Sequence, residues 1–109
     1  MMADFLHDHP SAKISPHLVD LTQEVLFGDV WERPQLSKRD RSIATVAVLI
    51  SKFRTDELHG HILRALDNGV TREEIGELIC HLAFYAGWPA AASAVNVAQR
   101  AFEEHAGRE

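Results

Sequence analysis

Apolar residues recur along this chain at three- and four-residue steps, and turn signals fall between the stretches that carry them. Leu18, Leu21, Val25 and Leu26 share one side of a segment that Ser15 and Pro16 open, as cap and first-turn proline, and that Gly28 closes. Residues 29–34 read as a loop. Ser37 caps a second helix, in which residues 43–50 are apolar except Thr45, whose hydroxyl can bond the carbonyl one turn back. A helix apolar on every side is expected to be covered on every side. Thr55 opens a third, with Leu58, Ile62, Ala65 and Leu66 on one stripe, and Asn68 and Gly69 are expected to end it in left-handed geometry. Thr71 and Glu74 form a capping box for a fourth, whose core stripe is Ile75, Leu78, Ile79, Leu82, Ala83 and Ala86, ended by Gly87. The last helix starts near Pro89 and aligns Ala91, Ala94, Val95, Ala98, Ala101 and Phe102, mostly small enough for close helix approach. The pattern predicts an all-α chain of five to six helices, one domain over residues 1–109, with residues 1–14 loose.

Cys80, Phe84 and Tyr85 lie off the core stripe of the fourth helix. Together with the apolar second helix they make more apolar surface than five helices can cover, so a homo-oligomer, a trimer or hexamer by preference, is expected. With 11 Lys and Arg against 16 Asp and Glu, the net charge of -5 gives no general reason to approach nucleic acid or an anionic membrane. The longest apolar run, residues 46–50, is too short to span a bilayer, and the opening "MMADFLHDHP" lacks the basic-then-apolar order of a signal peptide, so a cytoplasmic protein is expected. A single cysteine excludes an intramolecular disulfide and a C-x-x-C redox pair. The seven histidines include no H-x3-H pair on one helix face, and His7, Asp8 and His9 fall in the loose start, so no metal is expected. Nor is there a phosphate loop, a nucleophile elbow or a dinucleotide fingerprint.

The segments "LSKRDRSIATVAVLI" and "ELHGHILRALDNGVTREEIGELICHLAFYAGWPAAASA", covering roughly residues 36–94, resemble the carboxymuconolactone decarboxylase and alkylhydroperoxidase D-like family. The resemblance implies a helical fold built around a helical hairpin, assembled as dimers or trimers of dimers, with sites at subunit contacts. The peroxidase branch of that family carries C-x2-C-x3-H; aligned on His61, its cysteine positions fall on Arg54 and Glu57. Peroxide reduction by that route therefore has neither nucleophile nor resolving thiol. Cys80 lies on a different helix. The decarboxylase branch does without the cysteines.

His61 follows Glu57 by one helical turn, so the carboxylate is expected to orient the imidazole and raise its pKa toward the range of a general acid or base. The alternative is a boundary histidine in an ordinary surface pair. Glu74, Glu77, His81 and Tyr85 share one flank of the fourth helix and could form a hydrogen-bonded ladder toward Trp88; equally, they could be a cap acid, a solvated charge and the packing of a subunit contact. Arg41, at the start of the second helix, could clamp a substrate carboxylate or pair with a neighbouring acid. His59 points elsewhere and reads as solvated.

If the resemblance extends to chemistry, it implies loss of carbon dioxide, without a cofactor, from a small carboxylated lactone or related cyclic acid of aromatic breakdown. His61, oriented by Glu57, would handle the proton, His81 and Tyr85 would stabilise the oxyanion, Arg41 and Glu74 would contact substrate, and Trp88 and Phe84 would keep the pocket dry. The rival expectation is a non-enzymatic helical oligomer that binds a small ligand.

Overall fold

The computed structural model describes residues 9–108, all of whose regular elements are helical. The chain divides into two compact units between Lys38 and Arg39. His7 and Asp8 lie outside the described residues.

The first unit begins with a single helical turn, α1 (Ser11–Ile14), where a loose start was expected, and continues into α2 (Pro16–Leu21). Pro16 stands in the first turn of α2 as predicted, but the Ser15 side chain makes no capping bond. The predicted helix does reach Gly28, though it changes its winding: residues Thr22–Phe27 form a π-helix. Thr22 sits at this change, and its hydroxyl donates to the Leu18 carbonyl at 2.8 Å, a back-bond that competes with the regular ladder and bends helices. Gly28 is required by close approach, since a Cβ there would meet the carbonyl oxygens of Glu24 and Gln23 at 2.6 and 2.7 Å. A 3-10 turn at Val30–Glu32 interrupts the predicted loop, burying Trp31 with its ring 5.8 Å from that of Phe27. Leu18, Leu21, Val25 and Leu26, the predicted apolar stripe, remain 41–54 % exposed.

The second unit holds α3 (Lys38–Ser51), α4 (Thr55–Asp67), α5 (Arg72–Ala86) and α6 (Trp88–Arg108). The long α6 packs along both α4 and α5. It can do so because Ala90, Ala91, Ala94, Val97, Ala98 and Ala101 form its buried stripe, and such small side chains let two neighbours approach one helix. Ile50, Leu58, Ile62 and Ile75 are the largest fully buried side chains of the core beside them, all at most 2 % exposed. Val95, placed in the stripe by its spacing, is instead 53 % exposed, because the stripe runs through Ala94 and Ala98 and leaves residue 95 at its edge.

Local signals hold where chemistry is local. Thr71 and Glu74 make the predicted capping box, each side chain accepting from the other's backbone N–H at 3.0 Å, an arrangement worth about 1 kcal/mol at the cap. Thr45 donates to the Arg41 carbonyl at 2.8 Å, as anticipated. At the end of α4, however, Asn68 keeps φ -88 and only Gly69, at φ 97, is left-handed. Val70 N–H reaches the Ala65 carbonyl and Gly69 N–H the Leu66 carbonyl, a Schellman closure for which glycine alone suffices. The Asn68 amide is thereby released to donate to the Ser42 hydroxyl at 3.0 Å, which satisfies the one buried polar residue of α3. That helix is not covered all round: Val46 and Ile50 are buried, while Val48 is 51 % exposed. Phe53, which follows α3, takes φ 57, a conformation costing an L-residue roughly 1–2 kcal/mol.

Candidate active site

The candidate residues belong to the second unit and fall on all four of its helices, Trp88 being the first residue of α6. His61 lies in the middle of α4, partly buried between Leu58, Ile62 and Ala65 of the core stripe. Its Nδ1 is buried and has no hydrogen-bond partner. Proton exchange with a bound molecule must then use Nε2. Burial, reinforced by the positive charge of Arg64, lowers the His61 pKa below its ordinary 6.5, and the weaker pull of Glu57 does not reverse this. The expected upward shift is thus corrected to a downward one.

Glu57, four residues upstream, is engaged elsewhere. Glu57 hydrogen-bonds the Arg54 guanidinium, which holds its carboxyl below the usual carboxylate range and raises the arginine in turn. Glu57 therefore does not orient the imidazole. The two positions that carry cysteines in the peroxidase branch are close enough for contact here, but they carry an ion pair.

On α5 the predicted ladder does not form. Glu74 is held by the Thr71 backbone N–H and by the Arg39 side chain of α3, and these bonds lower its pKa in that order. Glu77 is exposed. Only His81 and Tyr85 meet, with ring centroids 4.8 Å apart, and one turn on Phe84 and Trp88 make an edge-to-face pair at 5.2 Å. All four are exposed, Phe84, Tyr85 and Trp88 at 73, 78 and 64 %, so within a single chain they form an open aromatic face and seal nothing. Cys80 is exposed beside them. Arg41 is partly buried in the first turn of α3. His59, read as solvated, reaches the Glu104 carboxylate at 3.4 Å. An open apolar groove of about 360 Å³ runs between α5 and α6, lined by Gly76, Ile79, Val95, Ala98, Gln99 and Phe102, and none of the candidate residues lines it. Arg72 lies over the Phe102 ring at 5.6 Å. No group of three or more metal-binding side chains comes together among the described residues, and no described helix is long and apolar enough to cross a membrane.

Arg64 is a further charged group beside His61. It follows His61 by three residues on α4 and is partly buried; burial lowers its pKa against the opposing charge of Asp67. The same turn-spacing rule that singled out Glu57 would have found it.

The family model of the carboxymuconolactone decarboxylase family matches residues 16–100, most of the chain. This chain belongs to the carboxymuconolactone decarboxylase family. It is 44 % identical over 78 residues to the 4-carboxymuconolactone decarboxylase of Acinetobacter baylyi, covering 72 % of this chain and 58 % of that protein. It is 36 % identical over 85 residues to the nitrosuccinic acid decarboxylase of Metarhizium robertsii, covering 78 % of this chain and 59 % of the relative. An uncharacterized 15.0 kDa protein of Paracoccus denitrificans is 27 % identical over 94 residues, 84 % of this chain and 70 % of that one. The chain thus spans somewhat less than three fifths of the length of the two named decarboxylases.

Proposed function

We propose that this chain is a decarboxylase that acts without a cofactor on a small carboxylated lactone or related cyclic acid of aromatic breakdown, with His61 as the proton donor. The observation that carries the reading is the state of His61: partly buried, unpartnered at Nδ1, and left with Nε2 for proton exchange. The two named relatives support it, since both names describe loss of a carboxyl group from a molecule with an electron-withdrawing neighbour, a lactone in one and a nitro group in the other.

The balance of the reaction defines the residue required. A carboxylate leaves as carbon dioxide, the electron pair of the broken C–C bond passes onto the conjugated carbonyl, and one proton is returned to carbon. The net step consumes a proton, so the essential group is an acid. His61 supplies it from Nε2. Arg41 holds substrate, and the ring of His81 with the Tyr85 hydroxyl stabilises the oxyanion.

These last roles need the open aromatic face covered, because hydrogen bonds offered to an oxyanion are weak in bulk water. A second copy of the chain is the cover we propose, and exposed Phe84, Tyr85 and Trp88 are its contact residues. Sedimentation of the purified protein is expected to give at least twice the chain mass at micromolar concentration, and Phe84→Ser with Trp88→Ser is expected to return it to one. A wild-type monomer under those conditions would exclude the covered face.

The exposed aromatic face would serve equally well in an oligomer with no chemistry. Carbon dioxide release separates the two. Purified protein given 4-carboxymuconolactone in the presence of a chelator is expected to release one carbon dioxide and take up one proton per turnover. No release with or without the chelator would favour the non-enzymatic reading; release that the chelator abolishes would refute a cofactor-free step.

A further inference from the structure

The apolar groove between α5 and α6 takes no part in the candidate active site. The two helices are joined through Gly87 alone and pack on each other, so they run antiparallel and the groove follows their length. Toward one end Phe102 lies under the Arg72 guanidinium, 5.6 Å from ring centroid to cation; toward the other, Ile79 and Val95 line the walls. From Arg72 to Ile79 the helix rises about 10 Å, at roughly 1.5 Å per residue.

Two features of this groove have no explanation within the chain. Gly76 stands inside α5, where glycine is disfavoured relative to alanine, yet a Cβ there would meet nothing within 4 Å. No neighbour excludes a side chain at that position; its absence keeps the groove open. Arg72 has the Phe102 ring as its described contact and takes part in none of the bonds of the nearby acids, since Glu74 is held by Arg39 and Thr71 and Glu103 by Gln99. A guanidinium laid on a ring keeps its N–H edge free, and that planar fork matches a carboxylate.

We propose that the groove binds a medium-chain fatty acid anion, its carboxylate on the Arg72 fork and its alkyl chain laid over Gly76 and along Ile79, Val95 and Ala98. Charge complementarity sets the head group: the groove offers one cation, and Gln99, its one polar lining residue, spends its amide on Glu103. Shape sets the tail. An apolar recess running lengthwise between two helices suits a linear chain, and about eight carbons, with bonds of about 1.5 Å set in zigzag, span the distance from Arg72 to Ile79. The site is separate from His61 and does not rest on the decarboxylase reading, because none of the candidate residues lines it.

The probe is octanoate, with 1-octanol as its neutral control, followed through the backbone amide signals of Gly76, Ile79 and Ala98 by NMR. Saturable octanoate binding at those amides is expected, with affinity rising about two-fold per methylene from butyrate to octanoate and levelling off beyond it. Two-fold corresponds to half of what a fully buried methylene contributes, as suits an open groove. Arg72→Met is expected to weaken octanoate by about ten-fold or more and to leave octanol nearly unchanged. Gly76→Leu fills the groove while improving helix propensity and striking no neighbour, so it should keep the fold and abolish binding of both. Equal affinity for octanoate and octanol, an Arg72→Met variant that binds octanoate as wild type does, or affinity that keeps climbing with longer chains would overturn the proposal. So would a loss of sedimenting mass in ligand-free Gly76→Leu, because a second copy of the chain would then be the occupant.

Discussion

Replacing His61 with glutamine is expected to lower kcat for decarboxylation by about 10²–10⁴-fold, the usual worth of a positioned acid or base. Glutamine can still donate a hydrogen bond but cannot deliver a proton, so KM is expected to move far less than kcat. The fold should survive, because Nδ1 makes no hydrogen bond that the substitution would break, and the ring is only partly buried. Steady-state rates of carbon dioxide release and a thermal melt on the same preparation check both halves. A variant within two-fold of wild-type kcat would remove His61 from the chemistry.

Next to it, Ile62→Ala is expected to cost about 2–5 kcal/mol of unfolding free energy. Ile62 is fully buried in α4, and the helix packed along it, α6, offers mainly alanines to the core. Alanine side chains have no reach with which to fill the space left by three missing carbons, so the cavity persists and adds to the lost burial. Against a total stability of about 5–15 kcal/mol such a loss is a large share, and the urea midpoint should fall with little change in slope. A loss below about 1 kcal/mol would mean that the site collapses, contrary to the packing limit set by the alanine stripe.

How far the sequence carries depends on how local the deciding contact is. The Thr71 and Glu74 box, the Thr45 back-bond and the alanine stripe each require residues within a turn or two, and each is formed. The four helices of the second unit start close to their expected signals, and α4 and α5 also stop close to theirs, for the same reason. What fails is the choice between equally spaced partners. Glu57 lies within reach of Arg54 on one side and His61 on the other, and the permanently charged guanidinium outcompetes an imidazole whose charged form is opposed by burial. Arg39 with Glu74 and Asn68 with Ser42 join residues 35 and 26 apart, so no periodicity announces them. The winding of Thr22–Phe27 into a π-helix has the same hydrophobic pattern as an α-helix and is invisible to it. The exposure of His81 and Tyr85 follows from which stripe of α5 the core selects, and that selection is made by α6.

The central claim is that one imidazole, kept neutral in the free protein, becomes the acid of the reaction. The measurement that bears on it most directly compares the pH dependence of kcat/KM for carbon dioxide release with the NMR titration of the His61 ring in the free protein. Since the folded pKa lies below 6.5 and the protonated ring is the active form, kcat/KM is expected to fall as pH rises through the same midpoint that the ring shows. A kcat/KM profile that is flat across the His61 titration, or that rises with pH there, would contradict the account.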